Sequence, residues 1–172
     1  PLDADEVAFF LRHCPFLTKE AVGAYLGALG VDSSKYPTAF AGDTEEFHKE
    51  VLRAYCRRFA FKNQPILSCL RVFLSAFLLP REAQQIDRIL LAFAEYAHRT
   101  CLEGVANVFE SEDVTYLFTV SIIMLNTDLH NANIRPDRRM KPEQFVKNNQ
   151  NYGVDYHQTR PLPVEVTLPF SM

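Results

Sequence analysis

Apolar residues recur at steps of three and four along most of the chain, which is the period of an amphipathic α-helix. After Pro80, for example, Ala83, Ile86, Leu90 and Phe93 fall on one helical face. Residues 66–77 are apolar almost all round, so we expect that helix to be central. Residues 111–127 are almost uncharged as well. This pattern predicts an all-α fold.

Helix boundaries follow from capping residues and prolines. Thr18 and Ser111 suit N-caps, Gly30 suits a helix end, and Pro80 interrupts a helix because its nitrogen cannot donate a hydrogen bond. A loop is expected over 31–43, where Ser, Pro, Gly and Asp accumulate. The predicted helices span 3–13, 18–29, 44–61, 66–77, 83–101, 111–127 and 142–149.

Composition bounds the class of protein. The chain has 172 residues, of which 48% are hydrophobic and 23% charged, so one globular domain is expected. The net charge of −3 is too close to neutral to indicate a nucleic-acid binder. The longest apolar runs have about ten residues, whereas a membrane span needs about 20.

The four cysteines, Cys14, Cys56, Cys69 and Cys101, are widely spaced and form no CxxC pair. Each lies in a helical, largely apolar context, which is typical of small core residues. A reducing, cytosolic compartment fits this usage.

Two of the apolar helices end in polar sequence, the first at Pro80–Glu82 and the second at Asn126–Asn131. If these helices pack side by side, their ends border a groove with an apolar floor and a few polar groups, which suits a protein partner. The alternative is that both helices belong to the core and their ends are merely capped. Glu82 taken alone also fits a glutamate that is favoured at a helix start by the macrodipole.

Other kinds of site find little support. Asp128 and His130 could ligate a metal, but no further His or Cys falls at a suitable spacing, so no metal site is expected. Neither a nucleophile motif nor a phosphate-binding glycine loop is present. The sequence also has a basic cluster, which is either a solvated face or a contact with an anionic membrane. Its members are Arg135, Arg138, Arg139, Lys141 and Lys147.

Two motifs carry a family resemblance. The segment FLLPREAQQIDR, followed about 35 residues later by SIIMLNTDLHNANI and RMKPEQFVKN, resembles the two signature motifs of the Sec-seven domain. Members of that family are guanine-nucleotide exchange factors for Arf small GTPases. EAVGAYLG and FHKEVLRAY are similar to earlier family helices, so the resemblance covers about residues 1–150.

The resemblance implies a right-handed superhelix of about eight to ten helices with a hydrophobic groove and a catalytic loop. It assigns residues 1–150 to the exchange domain, with the family's first helix missing. Residues 151–172 are expected to form an irregular, proline-containing tail or a truncated end of the domain. The implied setting is vesicle transport, in the cytoplasm with peripheral recruitment to Golgi or endosomal membranes.

By the same resemblance Glu82 is the glutamic finger, a carboxylate that displaces GDP from an Arf-family GTPase. No covalent chemistry, no nucleic acid and no cofactor of its own are implied, because GDP, GTP and Mg²⁺ belong to the GTPase. Support for the finger loop is expected from Pro80, Arg81, Asp87 and Arg88. The groove that receives the GTPase is expected to be lined by Ile123, Met124, Asn126, Thr127, Asp128, Leu129, Asn131 and Met140.

The sequence departs from the family pattern beside the finger. Arg81 stands where the family usually has Gly, and if that position requires a positive φ, Arg would cost about 1 kcal/mol or more. Two alternatives therefore stay open. One is a non-catalytic Arf-binding or adaptor module with an impaired loop, and the other is a helical scaffold without a GTPase partner.

A further departure concerns brefeldin A, which traps the GTPase–exchanger complex of sensitive family members. Ser121, Asp128 and Met140 match three of the four positions that accompany sensitivity. The fourth is usually Tyr and is Val120 here. We therefore expect only a weak effect of brefeldin A.

Overall fold

The computed structural model describes residues 3–32, 34–35, 41–100, 109 and 111–149. Over these ranges the chain forms α-helices and two 3-10 helices but no strand, which confirms the all-α prediction. The 3-10 helices are Ala41–Asp43 and Pro136–Arg138. The α-helices are α1 Ala4–His13, α2 Lys19–Gly27, α3 Glu45–Cys56, α4 Ile66–Ser75, α5 Ala83–Thr100, α6 Glu112–His130 and α7 Pro142–Asn149. Cys101 and the predicted tail 151–172 lie outside the described residues.

Polar side chains begin four of the helices. Asp3, Thr18, Thr44 and Ser111 each accept a hydrogen bond from a backbone N–H of the following turn. These bonds satisfy donors that have no partner within the helix. The predicted N-caps at Thr18 and Ser111 are thereby confirmed.

Several helix ends differ from the sequence-based boundaries. The second helix ends at Gly27 rather than before Gly30, whose φ of 73° instead directs the chain into a bridge between Val31 and Thr44. The third helix ends at Cys56 rather than Phe61, because the next residues form tight turns such as the bond from the Phe59 N–H to the Cys56 carbonyl.

The ends of α4 and α6 bear directly on the candidate site. The prediction for α4 was two residues too long, because the Ala76 N–H bonds the Phe73 carbonyl and the residues that follow form no helix. The prediction for α6 was three residues too short, since its helical hydrogen bonding continues to His130.

Aromatic rings fill the centre of the molecule. Phe73 of α4 is fully buried, and its ring centroid lies 5.1–6.3 Å from those of Tyr55, Phe59, Phe77 and Phe93. Most of these pairs meet edge to face, a geometry that adds to the energy of area burial. The helix α4 is thus central as predicted along this face, but it is not buried all round.

One side of α4 is exposed, although the helix is apolar almost all round. Val72 is 53% exposed, although it is as apolar as its buried neighbours. On α6, Phe118 and Ile122 are buried while Leu117 and Met124 are exposed. Each of these two apolar helices therefore keeps part of its apolar surface outside the core.

We predict that Phe73→Ala lowers the free energy of unfolding by about 3–5 kcal/mol, because the loss of a fully buried ring leaves a cavity among four others. Chemical denaturation followed by far-UV circular dichroism measures the change. Val72→Ala, one position away on the exposed side, is the matched control and should cost far less. Equal losses in the two variants would contradict the placement of Phe73 at the centre of the core.

Candidate functional site

The chain turns a corner between α4 and α5, over residues 76–82. Phe77 is buried and Leu79 packs partly against the core, while Leu78 between them is 49% exposed. This alternation is that of an extended chain, whose successive side chains point to opposite sides. Arg81 and Glu82 follow on the exposed side of the corner.

Glu82 begins α5. Its backbone carbonyl accepts hydrogen bonds from the N–H groups of Gln85 at 3.0 Å and Ile86 at 3.1 Å. Its carboxylate is exposed and has neither an ion pair nor a hydrogen bond with any other residue of the described ranges. The site therefore presents a negative charge at a helix start, where the macrodipole favours it.

Arg81 is accommodated without backbone strain. Among the described residues Asn63 is the one non-glycine with a positive φ, at 58°. Arg81 is thus outside the left-handed region, and the cost that a positive φ would impose does not arise. Its exposed side chain forms no ion pair with Glu82.

Two polar contacts of α5 lie just beyond Glu82. The guanidinium of Arg88 donates a hydrogen bond of 2.7 Å from Nη1 to the carbonyl of Gly27 on α2. The hydroxyl of Tyr116 on α6 donates to the carboxylate of Asp87, and this bond raises the pKa of Tyr116 to about 12. Arg88 thereby joins α5 to α2, and Asp87 joins α5 to α6.

A cleft of about 350 Å³ lies between α4 and α6. Its floor is apolar, and Asn126, Ser75 and Arg71 add polar groups. The Oδ1 atom of Asn126 is buried and accepts no hydrogen bond from the described residues. The apolar members of the lining are Leu70, Leu74, Ile122 and Ile123.

Asp128 and Met140 belong to a second cleft, of about 410 Å³, at the junction of α6 and α7. The backbone N–H of Met140 donates a hydrogen bond of 2.6 Å to Oδ2 of Asp128, which ties the end of α6 to the segment before α7. The remaining lining is polar or basic: Arg138, Gln144, Lys147 and Asn148.

The other predicted groove residues line neither of these two clefts. Met124 is 63% exposed, and the Thr127 hydroxyl donates to the carbonyl of Ile123. Asn131 ends α6 and accepts from the N–H of Asn133. Leu129 is half-buried. Of the eight predicted positions, Ile123 and Asn126 are the ones that border the α4–α6 cleft.

The described residues include no cluster of three or more His, Cys, Asp or Glu that could hold a metal ion. Over the same ranges, no helix is both long enough and apolar enough to cross a bilayer.

The family model of the Sec7 domain, which is the same family as the Sec-seven domain named above, matches residues 1–161. The chain belongs to the Sec7 domain family. It is 36% identical over 157 residues to the ARF guanine-nucleotide exchange factor GNL2 of Arabidopsis thaliana, which covers 90% of this chain and 10% of that protein. It is 38% identical over 151 residues to Brefeldin A-inhibited guanine nucleotide-exchange protein 1 of the same plant, covering 88% of this chain and 8% of that protein.

The Sec7 fold is also seen in the comparison with solved structures. The crystal structure of the Sec7p catalytic domain aligns with a TM-score of 0.70 and 32% identity, over 95% of this chain and 75% of that one. The chain therefore spans most of a solved catalytic domain but about a tenth or less of the two curated relatives.

Sequence reasoning missed three features of this Sec7 domain. Gly23 and Gly27 of α2 lie against the corner, and Tyr116 contacts Asp87. A signal for the glycines was present, since a spacing of four puts both on one helical face at a cost in helix propensity. Tyr116 had no comparable signal, because its partner is distant in the sequence.

We predict that Arg88→Ala lowers the free energy of unfolding by about 1–2 kcal/mol, because the Gly27 carbonyl loses a charged, half-buried donor. Chemical denaturation of the wild type and of Arg88→Ala measures this loss. Gln84→Ala, an exposed position on the same helix, should stay within about 0.5 kcal/mol of the wild type. An Arg88→Ala variant as stable as the Gln84 control would show that this bond contributes nothing.

Proposed function

We propose that this Sec7 domain is a guanine-nucleotide exchange factor that stimulates GDP release and GTP loading on an Arf-family small GTPase. The observation that carries the proposal is an apolar cleft followed along the chain by the exposed carboxylate of Glu82, which has no ion pair with the described residues. Ser75, at the end of α4, lines the cleft, and the corner that leads to Glu82 begins at the next residue. The printed names of the two plant relatives describe nucleotide exchange, one of them on ARF.

In this proposal Glu82 is the glutamic finger. Inserted into the nucleotide site of the GTPase, its carboxylate would compete with the β-phosphate of GDP and occupy space that Mg²⁺ needs. Two unit charges 4 Å apart interact by about 1 kcal/mol in bulk water and by about 4 kcal/mol at the effective dielectric constant near a protein surface. The repulsion therefore becomes strong only when the interface excludes water. An exposed side chain without an ion pair suits this role, since no bond must break first.

The α4–α6 cleft would receive the mobile switch regions of the GTPase. Its apolar floor offers burial, and the unpartnered Oδ1 of Asn126 offers an acceptor to a partner's N–H group. Met124 lies one residue beyond the cleft-lining Ile123, and its exposed thioether can adapt to a surface that changes shape.

In this proposal the protein is a regulator that accelerates nucleotide exchange and neither makes nor breaks a covalent bond. The protein would stabilise the nucleotide-free GTPase until GTP enters, so GDP, GTP and Mg²⁺ remain ligands of the partner. We also propose that it acts at Golgi or endosomal membranes through peripheral contact. The exposed Arg138, Lys141 and Lys147 support this, because anionic lipids attract such groups.

We predict that the chain accelerates GDP release from an N-terminally truncated Arf and that Glu82→Lys abolishes this acceleration, because the reversed charge attracts the phosphate. Stopped-flow fluorescence of a labelled GDP analogue measures the rate. Glu46→Lys, the same change at an exposed glutamate on α3, is the matched control and should retain the wild-type rate.

Three results would contradict parts of the proposal. Binding to Arf without acceleration would indicate the non-catalytic module. Equal rates for wild type and Glu82→Lys would remove the finger assignment. A folded chain that neither binds Arf nor accelerates GDP release would indicate the remaining alternative, a helical scaffold without a GTPase partner.

We predict that brefeldin A inhibits this chain weakly and that Val120→Tyr strengthens the inhibition. With Tyr at position 120, all four positions that accompany sensitivity in the family would match, because Ser121, Asp128 and Met140 already do. The assay is GDP release at increasing brefeldin A. Leu117→Tyr, which adds the same ring at an exposed position of α6, should change nothing. Equal inhibition of the two tyrosine variants would rule out the expected role of position 120.

A further inference from the structure

We propose that α2 positions the glutamic finger, with Gly23 and Gly27 forming a flat backbone surface against which the corner is set. The inference rests on the proposed function of Glu82 and extends it to a helix outside both signature motifs. Gly23 and Gly27 are positioning residues in this account, because they act through the corner and not on the GTPase.

At Gly23 the corner lies directly on the helix backbone. A Cβ atom built there would overlap the carbonyl oxygen of Leu78 and contact the ring of Phe77. In the same region the N–H of Leu78 donates a hydrogen bond of 3.0 Å to the carbonyl of Lys19. The N–H of Leu78 is therefore bonded to α2, and its carbonyl oxygen lies against Gly23 at a distance that only glycine permits.

At Gly27, one turn further along α2, the contact reaches both sides of the finger. A Cβ there would lie 2.8 Å from Cβ of Gln85 and 3.1 Å from Cγ of Pro80. Pro80 precedes Glu82 by two residues and Gln85 follows it by three. The carbonyl of Gly27 also accepts the Arg88 hydrogen bond of 2.7 Å, which pulls α5 toward α2.

These contacts fix the start of α5 from two directions. Arg88 draws the helix toward α2, and the absence of side chains at Gly23 and Gly27 sets how closely the corner can approach. A methyl group at position 27 must displace Gln85, Pro80 or both, because Cβ atoms do not approach one another within 3.0 Å. Catalytic groups act only within narrow tolerances of position, so such a displacement is expected to reduce the action of Glu82.

A purely local role of Gly27 predicts a different result for the same substitution. Gly27 is the last residue of α2 and its φ is not positive, so Gly27→Ala should stabilise the chain slightly if Gly27 merely ends the helix. Gly27→Ala therefore separates the two roles: a positioning role predicts a loss of exchange activity, and a purely local role predicts no such loss.

The experiment uses the full 172-residue chain and measures GDP release over a range of Arf–GDP concentrations. Gly27→Ala is expected to reduce kcat about tenfold while KM stays within about twofold, because the α4–α6 cleft is untouched. Ala24→Ser, at an exposed position of α2, is the matched control and should equal the wild type. Gly27→Ala/Gln85→Gly removes the atom that the new methyl group meets first, and it should regain most of the lost kcat relative to Gln85→Gly alone.

A second readout does not depend on exchange activity. Amide NMR shifts of the corner residues Arg81 and Glu82 in the free chain should move in Gly27→Ala, return in the double variant to those of Gln85→Gly alone, and stay unchanged in Ala24→Ser. An unchanged kcat in Gly27→Ala, or unchanged corner amides, would overturn the inference. Failure of the proposed function looks different, since the wild-type chain itself would then be inactive and the corner amides alone would decide whether α2 sets the corner.

Discussion

The close approach of the α2 backbone to the corner between α4 and α5 is the contact on which the arrangement of this site depends. The carbonyl of Leu78 lies against Gly23, and the N–H of the same residue bonds to Lys19. An extended segment has few internal hydrogen bonds to hold it, so its position must come from neighbours. Here the neighbour is a helix that has glycine at both points where the corner approaches it, and Glu82 follows four residues after the Leu78 contact.

Burial of aromatic rings supports the same corner from the other side. Phe77 belongs to the corner and also packs on Phe73 and Tyr55, with ring centroids 5.1 and 6.1 Å away. The corner thus lies between a packed core and the backbone of α2. One consequence is that stability and site geometry are coupled, because a substitution that moves the ring of Phe77 would also displace the chain that leads to Glu82.

The polar residues of the second motif serve different purposes. Asp128 and Thr127 are used within the fold, since Asp128 accepts the Met140 N–H and Thr127 donates to the Ile123 carbonyl. Asn126 differs, because its buried Oδ1 atom finds no donor among the described residues. A buried acceptor without a partner costs free energy, which a docked protein could recover. The motif therefore combines groups that shape the end of α6 with groups left available to a partner.

The sequence was enough to predict the helical fold, two N-caps and the break at Pro80, because these depend on the period of apolar residues and on local hydrogen bonding. It also marked Glu82, through motif resemblance. Tertiary packing was needed to show which face of α4 remains outside the core, which motif residues border the α4–α6 cleft, and that the φ of Arg81 is not positive. Those outcomes depend on contacts between residues far apart in the chain, such as those of Phe73 on α4 with Tyr55 and Phe93. Local periodicity carries no information about such distances, so packing alone fixes them.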